Sequence, residues 1–191
     1  GRALRPGRSG RRFIAVGRLV PQKNFALLLD AFAQTARGDD RLIILGDGVE
    51  RTALERQAVR LGIAARVAMP GHVADVRSWL ADADIFCMSS NFEGVPAVVI
   101  EAIAAGLPVV STDCSAGMTD LIGHGRFGKL VPLGDARALA LAMDMAPVGR
   151  DLSEEAMSHV RTFTMEAGAV AYIALARSIF ERHETRHSTR V

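Results

Sequence analysis

Cysteine, surplus charge and long apolar runs are all scarce in this chain. Its 191 residues include only two thiols, Cys87 and Cys114, each in or beside an apolar segment. Two cysteines argue against a disulfide framework, and no His/Cys spacing fits a metal centre. The net charge is only +2, which argues against nucleic acid as the main partner. The uncharged apolar stretch 167–176 is too short to span a bilayer. No signal-peptide pattern is visible, so a reducing cytoplasmic setting is the default expectation. Internal repeats and low-complexity tracts are absent too. The one strong local bias is at the start, where residues 1–12 carry Arg2, Arg5, Arg8, Arg11 and Arg12 with Pro6 and several glycines. That composition reads as a basic interdomain linker.

Short apolar runs at 13–16, 42–45, 67–69, 85–88, 109–111 and 129–131 lack strict alternation. Strands covered on both faces have that pattern. Helical periodicity separates them. Phe25, Leu28, Leu29 and Phe32 fall at i, i+3, i+4 and i+7 behind Asn24, a good cap. Further helices are expected at 49–61, 75–81 and from Val95 or Pro96 to Gly106, then at 135–145, 153–161 and 165–182. Residues 183–191 read as a frayed polar tail. Such alternation predicts an α/β protein: a Rossmann-like, doubly wound parallel sheet of about six strands with helices at its C-terminal end. A single ligand-binding domain would cover residues 13–182. Ligands of such sheets bind beyond the carboxyl ends of the strands, so function is expected in the loops 17–23, 46–48, 70–73, 89–95 and 112–119.

Two of those loops carry suitable chemistry. Gly17 allows a sharp turn at a strand end, and Arg18 and Lys23, five apart, can reach one anion. Further on, Glu93 precedes Gly94 and Pro96 in a turn, and Glu101 follows within an apolar helix. Glu101 should lie roughly 7–8 Å along the axis from Pro96. Both carboxylates can then face one crevice at a helix N-terminus, where unpaired N–H groups attract an anion. Val98, Val99, Ile100, Ala102 and Ile103 around Glu101 imply a largely buried helix, in which an unpartnered Glu is costly. An anion site flanked by two hydroxyl-binding carboxylates suits a phosphate attached to sugars. Other patterns say less. Gly46-Asp47-Gly48 begins but does not complete GxGxxG, and GxxxxGK[ST] is absent. Pro70-Gly71-His72-Val73 reads as a tight turn, and no Ser-His-Asp or Cys-His arrangement is present.

Taken in order, Val16-Gly17-Arg18-Leu19 with Lys23-Asn24, Gly46-Asp47-Gly48, Gly71-His72-Val73, Phe92-Glu93-Gly94-Val95-Pro96 to Glu101-Ala102, Gly106-Leu107-Pro108-Val109-Val110 and Gly128-Lys129-Leu130-Val131-Pro132 form one text. Over about residues 12–182 it resembles the carboxyl-terminal donor-binding domain of a retaining glycosyltransferase of family GT4, one half of a GT-B fold. The resemblance implies that Arg18 and Lys23 bind the diphosphate of a UDP- or GDP-linked sugar. Glu101 would hold the ribose and Glu93 would lie at the donor sugar. Backbone near Gly94 and Val95, beside Pro96, would hold phosphate or sugar, and Gly71, His72 and Val73 would flank the base. It implies catalysis without metal or other cofactor by Glu93, Arg18 and Lys23, with Arg18 and Lys23 stabilising the leaving diphosphate and Glu93 orienting the sugar. Two departures stand out. Asp120 occupies a position where the family often has Glu, and only the second of the two GT-B domains is represented. The acceptor, a lipid or saccharide, would be held by an N-terminal domain, with peripheral membrane association of the full-length protein. The chain alone would bind donor and transfer nothing. Two alternatives remain at this level: a nucleotide-sugar binding module without turnover, and a dinucleotide-binding oxidoreductase domain.

Overall fold

The computed structural model describes residues 10–35 and 38–164, together with Ala167 and Ile173. Six strands form one parallel sheet: β1 (Arg12–Val16), β2 (Arg41–Leu45), β3 (Val67–Gly71), β4 (Ile85–Met88), β5 (Val109–Thr112) and β6 (Gly128–Val131). Their order is β3-β2-β1-β4-β5-β6. The chain winds outward from β1 to β3, returns to the other side of β1, and winds outward again. The loops leaving β1 and β4 therefore diverge at the point of reversal and leave a crevice between them, the usual ligand position in such sheets.

Alternate side chains of each strand feed two cores. Phe13, Ala15, Leu42, Ile44, Ile85 and Cys87 pack under α1 (Phe25–Ala33), α2 (Arg51–Arg60) and α6 (Ala136–Met145). On the opposite face Ile14, Phe86, Met88 and Val109 pack under α3 (Val76–Asp82), α4 (Ala97–Ala104), α5 (Met118–Leu121) and α7 (Glu154–Arg161). The expected i, i+3, i+4, i+7 set of α1 is buried as a block, and Asn24, at φ +46°, accepts from the Leu27 N–H. Asp75, Asp135 and Ser153 cap α3, α6 and α7 in the same way. Both cysteines are buried and free.

The sequence-based bounds need three adjustments. Arg11 and Arg12, assigned to the linker, belong to the fold. Arg12 opens β1, and the buried Arg11 guanidinium pairs with Asp40 at 2.6 Å and Asp144 at 2.8 Å and donates to the Met143 carbonyl. This cluster locks the amino-terminal ends of β1 and β2 to the end of α6. Pro70 and Gly71, read as a turn, complete β3; β3 is an edge strand, where a missing N–H is tolerated. One-turn α5 has too few residues to show a period. Arg150 donates to the carbonyls of Leu80, Ala81, Ala83 and Ala105, closing the C-terminal ends of α3 and α4. The proposed linker up to residue 9, the helix 165–182 and the tail 183–191 lie outside the described residues, apart from Ala167 and Ile173.

Candidate functional site

At the carboxyl end of β1 the chain turns at Gly17, whose N–H donates to the Leu45 carbonyl. The segment 17–24 ends in a 3-10 turn, Pro21–Lys23. A Cβ on Gly17 would stand 3.1 Å from Lys23 Cε, so the absent side chain is what lets the lysine stem lie flat over the strand end. Lys23 Nζ then donates to Glu93 Oε1 at 2.5 Å, joining the β1 loop to the β4 loop across the crevice. The same oxygen accepts from Ser90 Oγ at 2.7 Å, and Gln22 Nε2 lies 3.5 Å from Oε2. The Glu93 N–H donates to the Cys114 carbonyl in the loop after β5.

The two loops are further stitched together around this pair. Asn91 donates from its backbone to Gln22 O and from its side chain to Pro21 O, and accepts from Asn24 Nδ2. Ser89 Oγ donates to Lys23 O, Thr112 Oγ1 to Ser90 O, and Ser115 Oγ to Gly94 O. Arg18 stands apart from this mesh. It is exposed, and its side chain has no partner among the described residues. The N–H groups of Gly94 and Val95, just ahead of α4, are likewise unpaired among the described residues. The site thus combines the Lys23–Glu93 ion pair with one bare cation on the β1 loop and free amides ahead of α4, a set whose unpaired members attract an anion.

Glu101 differs from expectation. It is exposed, because α4 buries Val99, Ala102 and Ile103 on one face and leaves Ala97 and Glu101 on the other. Its carboxylate has no partner among the described residues. Pro96 is the N-cap, and Gly106, at φ +76°, closes the helix: its N–H donates to Ile103 O and that of Leu107 to Ala102 O. Gly71 sits at φ +93° at the end of β3, with His72 exposed and Val73 packed on the second core. Two strand spacings separate β3 from β1, so this corner lies roughly 10 Å from the crevice. Asp120, on α5, turns outward to His124 at 3.4 Å.

Gly46-Asp47-Gly48 contributes by close approach. A Cβ on Gly46 would fall 2.0 Å from Gly17 O, and one on Gly48 2.4 Å from Leu19 O. The Leu19 N–H donates to Asp47 O, and the Glu50 N–H to Leu19 O. This turn is a backing plate for the β1 loop. Arg51 braces it, donating to Asp47 Oδ1, Gly46 O and Met69 O. The hydrogen bond from Arg51, aided by the Gly48 N–H, holds the Asp47 carboxyl below its ordinary range. Gln22, Ser90, Asn91 and Arg51 have no periodic or motif signal that singles them out in the sequence. Elsewhere, an apolar cavity of about 900 Å³ runs along β6 beneath α6, among Leu107, Val131, Leu141, Met145 and Val148. No residue of the β1 or β4 loops lines it.

A doubly wound parallel sheet with a cationic loop at its point of reversal defines a class: domains that hold phosphate-bearing ligands beyond their strand ends. Comparison with known proteins narrows the class. The family described as Glycosyl transferases group 1 matches residues 10–146, and the chain belongs to it. The lipopolysaccharide core biosynthesis glycosyltransferase LpsE of Rhizobium meliloti (strain 1021) is 35% identical over 170 residues, covering 86% of this chain and 49% of that protein. Among solved structures, the apo form of the lipopolysaccharide outer core galactosyltransferase WaaB superposes with a TM-score of 0.74 at 25% identity, covering 91% of this chain and 50% of the other. HepE of Anabaena in complex with UDP and glucose gives 0.67 at 26% identity, covering 92% and 48%. The chain thus spans about half the length of these relatives. The fold is that of one Rossmann-like half of a GT-B glycosyltransferase.

Proposed function

We propose that this chain is the donor-binding half of a retaining glycosyltransferase that uses a nucleotide-diphosphate sugar. The observation that carries the reading is the bare, exposed Arg18 on the same loop as Lys23, which pairs with Glu93 at the reversal of the sheet. Arg18, Lys23 and the amides of Gly94 and Val95 take the diphosphate. Glu93, already in the crevice, meets the sugar. The free carboxylate of Glu101 offers two coplanar acceptors to a vicinal diol, the chemistry of a ribose. The corner at Gly71, His72 and Val73 lies a nucleoside's length away, where the base would rest.

On transfer, the bond from the sugar's anomeric carbon to the diphosphate oxygen breaks. A bond to an acceptor hydroxyl oxygen forms with the configuration kept, the hydroxyl's proton passes to the departing diphosphate, and charge accumulates on that diphosphate as it leaves. Preplaced cations and amides stabilise that charge in the transition state. This supply of positive charge is the reason to expect no requirement for a divalent ion. The solved neighbour that carries UDP and glucose supports a nucleotide-linked donor. A lipid or saccharide acceptor, held by a second domain at the inner face of a membrane, completes the proposal. Among the described residues no helix is long and apolar enough to cross a membrane. The dinucleotide alternative loses its basis, since the Gly46 and Gly48 positions are filled by the β1 loop backbone.

Isothermal titration of the chain with UDP, GDP and NAD, each with and without EDTA, tests the reading. Binding of UDP or GDP that survives EDTA, with NAD weaker, is expected. Preference for NAD, or no nucleotide binding, overturns it.

A further inference from the structure

Glu93 is held by a charged donor and by neutral ones, and the two kinds have different fates when a ligand arrives. Lys23 Nζ and Ser90 Oγ both donate to Oε1, at 2.5 Å and 2.7 Å. Gln22 Nε2 reaches Oε2 at 3.5 Å and donates to Phe92 O at 3.0 Å, the carbonyl of the residue just before Glu93. Ser90 is 1% exposed, and its carbonyl accepts from Thr112 Oγ1 at 2.7 Å. Its neighbour Ser89 donates to the Lys23 carbonyl at 2.9 Å. The Ser90 hydroxyl is therefore a fixed donor, aimed from the end of β4 at one carboxylate oxygen.

A diphosphate entering the crevice makes a second claim on Lys23. An ammonium has three N–H donors and can span both anions, but its charge is then shared. The carboxylate also faces phosphate oxygens of like sign, and Coulomb repulsion in a half-buried crevice is stronger than in water. A Glu side chain held by lysine alone would swing away toward solvent. A neutral hydroxyl on a buried strand end is not drawn toward phosphate in this way. We infer that Ser90, seconded by Gln22, is a positioning residue that keeps Glu93 aimed at the donor sugar once Lys23 is drawn onto the diphosphate. The inference rests on the nucleotide-sugar reading and adds to it the groups responsible for the sugar's share of the affinity.

The test is calorimetric, on the whole 191-residue chain. The probes are UDP and the tightest-binding of UDP-glucose, UDP-galactose and UDP-N-acetylglucosamine, with GDP and GDP-mannose as a parallel pair. The quantity read is the ratio of nucleotide to nucleotide-sugar dissociation constants. Ser90→Ala should leave the nucleotide affinity unchanged and lower that ratio about tenfold, as expected for one hydrogen bond to a charged group. Ser90→Thr, which returns the hydroxyl, should restore it. Gln22→Leu, at a half-buried loop position, should lower the ratio by less, and thermal unfolding confirms that each variant is folded. A purely structural serine would weaken both probes equally; that result, or an unchanged ratio in both Ser90→Ala and Gln22→Leu, overturns the inference. Wild-type chain that binds UDP or GDP but gains nothing from the sugar also overturns it, while leaving the diphosphate site intact. Wild-type chain that binds no nucleotide at all defeats the functional reading, and the inference with it.

Discussion

Arg18 and Lys23 are both cations on one loop, yet their surroundings make them unequal. Arg18 is exposed and bare, so Arg18→Ala should weaken nucleotide-diphosphate binding by roughly 1.5–3 kcal/mol and leave stability within about 0.5 kcal/mol. Lys23 is mostly covered and its partner more so, at 18% and 9% exposure. Lys23→Ala strands a carboxylate in the crevice, and should cost stability as well as affinity, about 1–3 kcal/mol by urea unfolding, below the 3–5 of a fully buried pair. Lys23→Ala with Glu93→Gln should recover part of that loss, which a double-mutant cycle measures. Equal stability of Arg18→Ala and Lys23→Ala would refute the asymmetry. Glu101, exposed and unpartnered, belongs with Arg18: Glu101→Ala should be neutral for stability, and 2′,3′-dideoxy nucleotides should bind wild type more weakly than their parents. The residues following strand ends were legible because loop position alone selects them. The exposure of Glu101 was not, because Val, Ile and Ala occupy both faces of an eight-residue helix and only the neighbours decide which face is covered. Ser90 and Gln22 were illegible for a related reason: polar loop residues carry no period, and they meet Glu93 only across the crevice.

Among the described elements, all six strands and helices α1, α2 and α6 followed from apolar runs and periodicity, since each buries its pattern on one of two cores. What the pattern did not show is how loops brace one another. Gly46-Asp47-Gly48 looked like a fragment of a dinucleotide fingerprint, whereas its glycines admit the β1 loop carbonyls. Gly48→Ala should therefore push Leu19 and the loop carrying Arg18, costing about 1–3 kcal/mol of stability, the range for overpacking, and weakening nucleotide binding though no ligand contact is removed. Gly94→Ala, with nothing within 4 Å of the new methyl, is the stability control. Matching melting temperatures for these two variants would contradict the bracing role. Arg150 is the corresponding brace at the opposite end of the sheet, where its guanidinium gathers carbonyls of the α3 and α4 ends. Arg150→Ala should destabilise the fold by about 1.5–3 kcal/mol without changing nucleotide affinity in the remaining folded protein. A shift in affinity there would show that α4 moves with its C-terminal cap.

The scale of the whole molecule governs turnover. The chain matches about half the length of its relatives, and the groups that would meet a ligand stand at one open edge. Arg18 and Glu101 are exposed there, and so are two apolar side chains of the β4 loop, Phe92 at 63% and Val95 at 72%. A solvent-washed edge of this kind can hold a diphosphate through charge and amides, because the proposed contacts come from the loops after β1 and β4 of this chain. It cannot by itself place an acceptor hydroxyl against the anomeric carbon or exclude water from that carbon. Orientation alone accounts for about 7–11 kcal/mol of barrier in well-aligned reactions, and closure of a second element over the site supplies much of it. The purified 191-residue chain is therefore expected to bind nucleotide sugar and to transfer none, with slow donor hydrolysis as its ceiling. Labelled UDP- and GDP-sugars, incubated with a mixed pool of lipid and saccharide acceptors, decide the matter. Retained binding with unlabelled acceptors supports a site split between two domains. Robust transfer would mean that acceptor recognition resides in this half, and Phe92 and Val95 would then be the first residues to mutate in search of it.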